Sequence, residues 1–80
     1  MARIAIHERT PRGPGFDIKF HAASTSDFAY VREQIEKAGG KVHDESQIGG
    51  GVVLFRVSGT TEKALVESLV KTGSFVNLRR

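Results

Sequence analysis

The stretch of sequence that decides the fold reads Phe16-Asp17-Ile18-Lys19-Phe20-His21. Apolar and polar side chains alternate at every step, a period of two that is typical of a strand with one face buried and one face in water. If Phe16 and Phe20 face the core, then Asp17, Lys19 and His21 lie on the open face of the sheet. The pattern therefore predicts a half-buried strand over residues 15–22.

Four further segments are predicted to be strands. Residues 2–8 alternate in the same way, and residues 74–79 form the last strand of the chain. Residues 41–46 are polar, which suits the edge of a sheet. Residues 51–58 are apolar on both faces, which suits a position inside the sheet.

Two amphipathic helices separate these strands. The first follows a cluster of N-cap residues at 24–27 and ends at Gly39-Gly40. The second begins after Thr60 or Thr61 and ends at Gly73. The predicted apolar stripes are Phe28, Val31, Ile35 and Ala38 in the first helix, and Leu65, Val66, Leu69 and Val70 in the second.

The order of elements, ββαββαβ, predicts a single α+β domain over residues 1–80 that is a ferredoxin-like variant. We expect a mostly antiparallel five-stranded sheet with both helices on one face, because each crossover must be right-handed. The loop at 9–14 is too short to pass an intervening strand, so the first two strands should form a direct hairpin. The predicted order across the sheet is 74–79, 2–8, 15–22, 51–58, 41–46.

Composition excludes several classes of chemistry. The chain has no cysteine, so disulfides, thiol nucleophiles and cysteine-based zinc sites are absent. No apolar run approaches the length of a membrane span, and the first residues are too few and too polar for a signal peptide. We therefore expect a cytoplasmic protein without membrane contact.

The net charge of +3 is concentrated at the two ends of the chain. Residues 1–21 carry four basic against two acidic side chains, and Arg79 and Arg80 close the sequence. Basic ends can steer a protein toward an acidic protein face or a phosphate backbone. A charge of this size also serves solubility alone.

The three histidines are not expected to form a metal site. A hairpin closing around residues 11–12 pairs His7 with about Phe16, which places His7 and His21 roughly 16 Å apart. His43 lies on a different predicted strand. Ligands of zinc lie about 2 Å from the metal, so we expect no shared ion.

Two further patterns have structural explanations. Ser24 and Asp27, which stand close to His21 in sequence, are predicted to be helix caps rather than a nucleophile and its partner. The triplet at 49–51, three glycines, leads into a strand and not into a helix, which predicts a hairpin turn rather than a phosphate-binding loop. We expect no catalytic residue, no cofactor and no enzymatic activity.

An RNA- or DNA-binding ferredoxin-like module is the alternative function. Such modules stack bases on aromatic side chains of the open sheet face. The strand at 51–57 has one aromatic residue, and the face that shows Asp17, Lys19 and His21 has charge but no stacking platform.

The segment Glu8–Gly15 contains two prolines and two glycines, which make it stiff at some positions and bent at others. We expect it either to be an ordinary hairpin turn or to present Arg9 and Arg12 to a partner. The full set of predicted partner-binding residues is Arg9, Arg12, Lys19, Arg56, Arg79 and Arg80.

The stretch Thr10-Pro11-Arg12-Gly13-Pro14-Gly15-Phe16-Asp17-Ile18, with the short apolar strand before it, resembles the opening hairpin of small phage-encoded type I anti-CRISPR proteins. The resemblance covers about 15 of the 80 residues and is a turn motif. Those inhibitors commonly dock on subunits of the bacterial CRISPR surveillance complex. The resemblance implies a protein inhibitor that binds a Cas effector subunit in the bacterial cytoplasm and blocks DNA binding or nuclease recruitment. The chain is expected to be a monomer or a homodimer, and a third interpretation is an obligate homodimer in which sheet edges or open faces pair.

Overall fold

The computed structural model describes residues 4–24 and 26–78. Its elements in chain order are β1 (Ile4–Arg12), β2 (Gly15–His21), α1 (Asp27–Lys37), β3 (Lys41–Gly49), β4 (Val52–Ser58), α2 (Glu62–Lys71) and β5 (Phe75–Asn77). The predicted ββαββαβ order is confirmed. The ends of the predicted strands at residues 2–3 and 79, and the N-cap candidate Thr25, lie outside the described residues.

The five strands form one sheet in the order β3-β4-β2-β1-β5, which is the order predicted from the loop length at 9–14. The sheet is mixed rather than antiparallel throughout, because β5 runs parallel to β1 while the other three pairs are antiparallel. Helix α2 returns the chain to the end at which β4 begins, so β5 takes the direction of β4, which is also that of β1. This α+β architecture is compatible with a ferredoxin-like fold.

One apolar core holds the sheet and both helices together. Alternate residues of β2 and β4 pack in a single cluster with the buried side chains of α1 and α2, so both helices lie on one face of the sheet. The predicted stripe of α2 is wrong at its last member, because Val70 is 41% exposed. It follows Leu69 by one position and so points about 100° away from the buried side of the helix.

Aromatic rings fill the centre of this core. The ring of Phe20 lies 5.8 Å from that of Phe55 and 5.9 Å from that of Phe75, both in edge-to-face geometry. Tyr30 of α1 stacks on Phe75 at 6.1 Å, and its hydroxyl donates a hydrogen bond of 2.9 Å to Ser74 Oγ. These contacts fix the short strand β5 beside the first helix.

The helix ends follow the predicted signals in part. Thr61 caps α2 by accepting a hydrogen bond of 3.1 Å from the backbone of Ala64. At α1 the N-cap is Ser26, which makes no side-chain cap bond to the helix. The hydroxyl of Ser24 instead accepts a hydrogen bond of 3.2 Å from the backbone of Ser26, within the turn before the helix.

The predicted loop at 9–14 is mostly strand. β1 continues to Arg12, Pro11 pairs with Phe16, and only Gly13 and Pro14 form the turn. β5 pairs with β1 only as far as Ile6, so the later part of β1 is an edge, and an edge strand tolerates proline. The segment, expected to be either an ordinary hairpin turn or a contact loop, is therefore the end of a hairpin.

The hairpin register also differs from the prediction. Ala5 lies opposite His21, whereas closure around residues 11–12 would have placed Ala2 there. A bulge between Ile6 and Arg9 inserts one extra residue into β1. The turn at 13–14 and the bulge together move His7 away from Phe16 and toward the end of β2.

Gly15 permits the close approach of the hairpin end to β4. A Cβ atom at this position would lie 2.0 Å from the carbonyl oxygen of Val57, a contact that real side chains do not make. The second turn, between β3 and β4, is formed by Gly50 and Gly51 with φ of 62° and 79°, as the predicted hairpin requires.

Substituting Gly15 tests this close approach. We expect Gly15→Ala to lower the free energy of unfolding by about 2–3 kcal/mol, because the strand pairing must shift to admit the methyl group. The control is Gly13→Ala, whose Cβ would meet no atom within 4 Å and which should cost only about 1 kcal/mol for its positive φ. Urea denaturation measures both. A Gly15→Ala variant as stable as Gly13→Ala would contradict the packing described here.

Candidate functional site

The face of the sheet opposite the helices is called the open face here. Both helices pack on the other side, so no described element covers it. Strand pairing assigns its residues as Ala5, His7, Glu8, Thr10, Arg12, Asp17, Lys19, His21, Lys41, His43, Asp44, Ser46, Val52, Leu54, Arg56, Ser58 and Val76. As predicted, Asp17, Lys19 and His21 lie on this face while Phe16 and Phe20 are buried.

Half of the open face is apolar or neutral. Val52, His21, Ala5 and Val76 stand opposite one another on four adjacent strands and form one row across the sheet. Leu54 lies two residues further along β4. The aliphatic side chains of Ala5, Val52, Leu54 and Val76 are half-buried, because neighbouring residues of the sheet cover only their sides. Covering this row with another surface would remove further apolar area from water, which is favourable.

The other half of the open face carries nearly balanced charge. Its ion pairs join Arg12 Nη1 to Asp17 Oδ2 at 3.4 Å and Lys19 Nζ to Glu8 Oε2 at 3.7 Å. The whole face holds four Lys or Arg side chains against three Asp or Glu among the described residues. It is therefore not a strongly positive surface.

No phenylalanine or tyrosine side chain lies on the open face. The chain has five phenylalanines, one tyrosine and no tryptophan. All five phenylalanines are buried in the core, and Tyr30 packs against that core from α1. The absence of a stacking platform, which the sequence predicts, holds for this face.

Arg9, predicted to be exposed at a loop tip, is held on the helix side of the sheet. Its side chain is 13% exposed, and its Nε lies 2.5 Å from Glu62 Oε1. Its Nη1 donates a hydrogen bond of 2.7 Å to Asn77 Oδ1. The bulge in β1 turns Arg9 to the same face as Ile18, its cross-strand neighbour. Arg9 therefore links β1 to α2 and β5 and is not a contact tip.

The other predicted partner-binding residues divide into two groups. Arg12, 59% exposed in its side chain, and the half-buried Lys19 and Arg56 all lie on the open face. Arg79 and Arg80 lie outside the described residues. The structure thus brings three of the six predicted residues onto one surface.

The different roles of Arg9 and Arg12 can be tested by stability. We expect Arg9→Gln to lower the free energy of unfolding by about 1–2 kcal/mol, because the Arg9 side chain is 13% exposed and loses its charge-assisted hydrogen bond to Glu62, whose own side chain is 37% exposed and partly solvated. Arg12→Gln should change it by no more than about 0.5 kcal/mol, because its ion pair is exposed. Urea denaturation of both variants gives the comparison. Equal effects of the two substitutions would show that Arg9 is not the link described above.

His7 and His21 are neighbours, which corrects the predicted separation of roughly 16 Å. Their ring centroids are 6.0 Å apart with an angle of 65° between the planes. His21 Nε2 donates a hydrogen bond of 3.0 Å to the carbonyl oxygen of Gly50 and so ties the β3–β4 turn to β2. Within the described residues, no three His, Asp or Glu side chains come together as metal ligands.

His43 and Ser58 form a pair that the sequence reasoning missed. His43 Nε2 and Ser58 Oγ lie 2.5 Å apart across β3 and β4. The pair follows from the register of the β3–β4 hairpin, in which Lys41 lies opposite Ser58. A bulge between Val42 and Asp44 then brings His43 beside Ser58. A catalytic serine needs a histidine that a third group orients. Among the described residues His43 Nδ1 has no such partner, so the contact is a cross-strand link.

Comparisons of the chain with protein-family models, with curated proteins and with solved structures find no match. In the described part of the chain, neither helix is long and apolar enough to cross a membrane. Because no related protein indicates a ligand, what the open face can bind is inferred from its own side chains.

Proposed function

We propose that this protein is a non-enzymatic binding protein whose open sheet face contacts another protein. The observation that supports this is an uncovered face that combines a half-exposed aliphatic row with nearly balanced charges. Protein–protein interfaces have this mixture of an apolar centre and a polar rim. We further assign the fold as a ferredoxin-like variant, with β1 inserted between β5 and β2.

A protein partner fits this face better than a nucleic acid does. Phosphate backbones are bound by an excess of Lys and Arg, and unpaired bases are bound by stacking on aromatic rings. Here Lys19 and Arg12 are already paired with carboxylates, and the phenylalanine and tyrosine side chains are inside the core or packed against it. The alternative of an RNA- or DNA-binding module is therefore the weaker one.

The particular partner we propose is a subunit of a bacterial type I CRISPR-Cas effector complex, in the host cytoplasm. Support comes from the resemblance of Thr10–Ile18 to the opening hairpin of small phage-encoded anti-CRISPR proteins. That stretch forms the end of the β1–β2 hairpin, with Arg12 exposed beside the open face. A domain docked by this surface would block DNA binding or nuclease recruitment by occupying the subunit.

Phage plaquing on CRISPR-immune hosts tests the proposed inhibition. We expect expression of the chain to restore plaquing in at least one type I subtype, and Leu54→Asp to abolish it by placing a charge in the apolar row. The control is Val70→Asp, which places the same charge on the exposed side of α2 and should leave rescue intact. Urea midpoints must show that both variants fold.

Absence of rescue in every type I subtype would reject the inhibitor proposal. Affinity capture on the wild-type chain, compared with Leu54→Asp, then tests the broader proposal of a protein partner. Light scattering on the free chain shows whether it forms the homodimer left open by the sequence, and loss of that dimer in Leu54→Asp would place the second copy on the open face.

Electrophoretic mobility shift with single-stranded RNA and duplex DNA tests the alternative function. We expect no complex at physiological salt, and any complex at low salt should weaken equally in Lys19→Gln and in Lys63→Gln on α2, because such binding would be non-specific. A complex at physiological salt that depends on Lys19 but not on Lys63 would favour the nucleic-acid module.

A further inference from the structure

Among the described residues, Arg56 and Lys41 are the cations of the open face that form no ion pair, and of the two only Arg56 is half-buried. Arg9, Arg12 and Lys19 each have a carboxylate within 4.0 Å. Arg56 is half-buried on β4, and among the described residues no carboxylate oxygen lies that close to its guanidinium group. Asp17 and Asp44 are its cross-strand neighbours but remain beyond that distance. A partly desolvated guanidinium with its donors unused is a site for an external acceptor.

A cavity of about 190 Å³ opens beside Arg56. Its lining residues come from the β1–β2 turn, β3 and β4, and they are Pro14, Gly15, His43, Arg56, Val57 and Ser58. A water molecule in the liquid takes about 30 Å³, so the space admits several heavy atoms. The guanidinium of Arg56 offers several N–H donors, and the hydrogen-bonded pair of His43 and Ser58 uses one of its two donor groups internally and keeps the other.

The walls of this cavity are held in place by two features already described. The hydrogen bond between His43 and Ser58 fixes one side, at a separation of 2.5 Å. Gly15 lets the hairpin end approach the backbone of Val57 on the other side, where a Cβ atom would collide. The site is therefore built by paired strands and a tight contact rather than by a free loop.

The charge around the cavity favours an anion with a single negative charge. Arg56, Arg12 and Lys41 contribute three positive charges on this part of the face, and Asp17 and Asp44 contribute two negative ones. One bound carboxylate neutralises this net charge of +1. A doubly charged phosphate would leave an excess negative charge beside two aspartates, which is unfavourable.

We infer that the cavity beside Arg56 binds a carboxylate group through the guanidinium fork, assisted by Ser58 and His43. Its role as a contact for a partner rests on the proposed function, in which a protein covers the open face. The carboxylate would then come from an acidic side chain of the partner or from the C-terminus of its chain. Bidentate pairing with a carboxylate is the geometry that an arginine provides and a lysine does not.

Titration of the isotope-labelled chain with small anions, followed by NMR, tests the site directly. The probes are acetate, N-acetylglycine as a mimic of a chain terminus, the N-methylamide of N-acetylaspartate as a mimic of an acidic side chain, and inorganic phosphate. Sodium chloride at matched ionic strength is the reference. We expect saturable shifts of the Arg56 Nε–H and Gly15 amide signals with the carboxylates, at lower concentration than with phosphate.

Variants separate the site from general electrostatics. We expect Arg56→Gln to weaken carboxylate binding by at least about tenfold, the loss that follows removal of a charge-assisted hydrogen bond. Arg56→Lys should retain only part of the wild-type affinity for carboxylates. Arg32→Gln, which removes one positive charge from the exposed face of α1, should leave the affinity unchanged.

The results distinguish this inference from the proposed function. Carboxylate binding that depends on Arg56 supports the site even if no partner protein is captured, and the better of the two carboxylate mimics identifies the source. Shifts no larger than those with sodium chloride, equal losses in Arg56→Gln and Arg32→Gln, or tighter binding of phosphate than of acetate would each overturn it.

Discussion

The structure depends on the register between β2 and β4, in which Phe16, Ile18 and Phe20 stand opposite Val57, Phe55 and Val53. All six of these side chains are buried against the two helices. Because side chains alternate between faces, a slip of β2 by one residue would move its three apolar side chains to the open face and turn Asp17 and Lys19 into the core. The cost of burying unpaired charges therefore maintains this register as firmly as the apolar contacts do.

The same register determines what the protein shows to its surroundings. Every phenylalanine and tyrosine ring is used to build or cover the core, so the open face is left with short aliphatic groups, histidines and nearly balanced charges. Such a surface offers moderate apolar area and directional polar contacts, which suit a protein partner. Arg56 lies between two aspartates of the neighbouring strands, yet its hydrogen-bond donors are available to an external group.

The sequence was sufficient for the elements and their order but not for the hairpin geometry. Alternation over residues 16–21 identifies the core face of β2, and the short connection to β1 determines the order of the sheet. The bulge after Ile6 has no comparable signal, because a bulge depends on how two strands fit and not on the composition of either. That one inserted residue turns Arg9 to the face opposite the one that the alternation of Ile4 and Ile6 indicates, and the turn at 13–14 brings His7 close to His21.

The central claim is that the open face, and not the helical face, is the contact surface. Hydroxyl-radical footprinting of the chain, free and in complex with the partner recovered by affinity capture, tests it side chain by side chain. We expect Leu54, Val52 and His21 to become protected in the complex while the exposed Val70 of α2 stays reactive. Protection confined to Val70 and its neighbours on α2, with the open face still reactive, would contradict it.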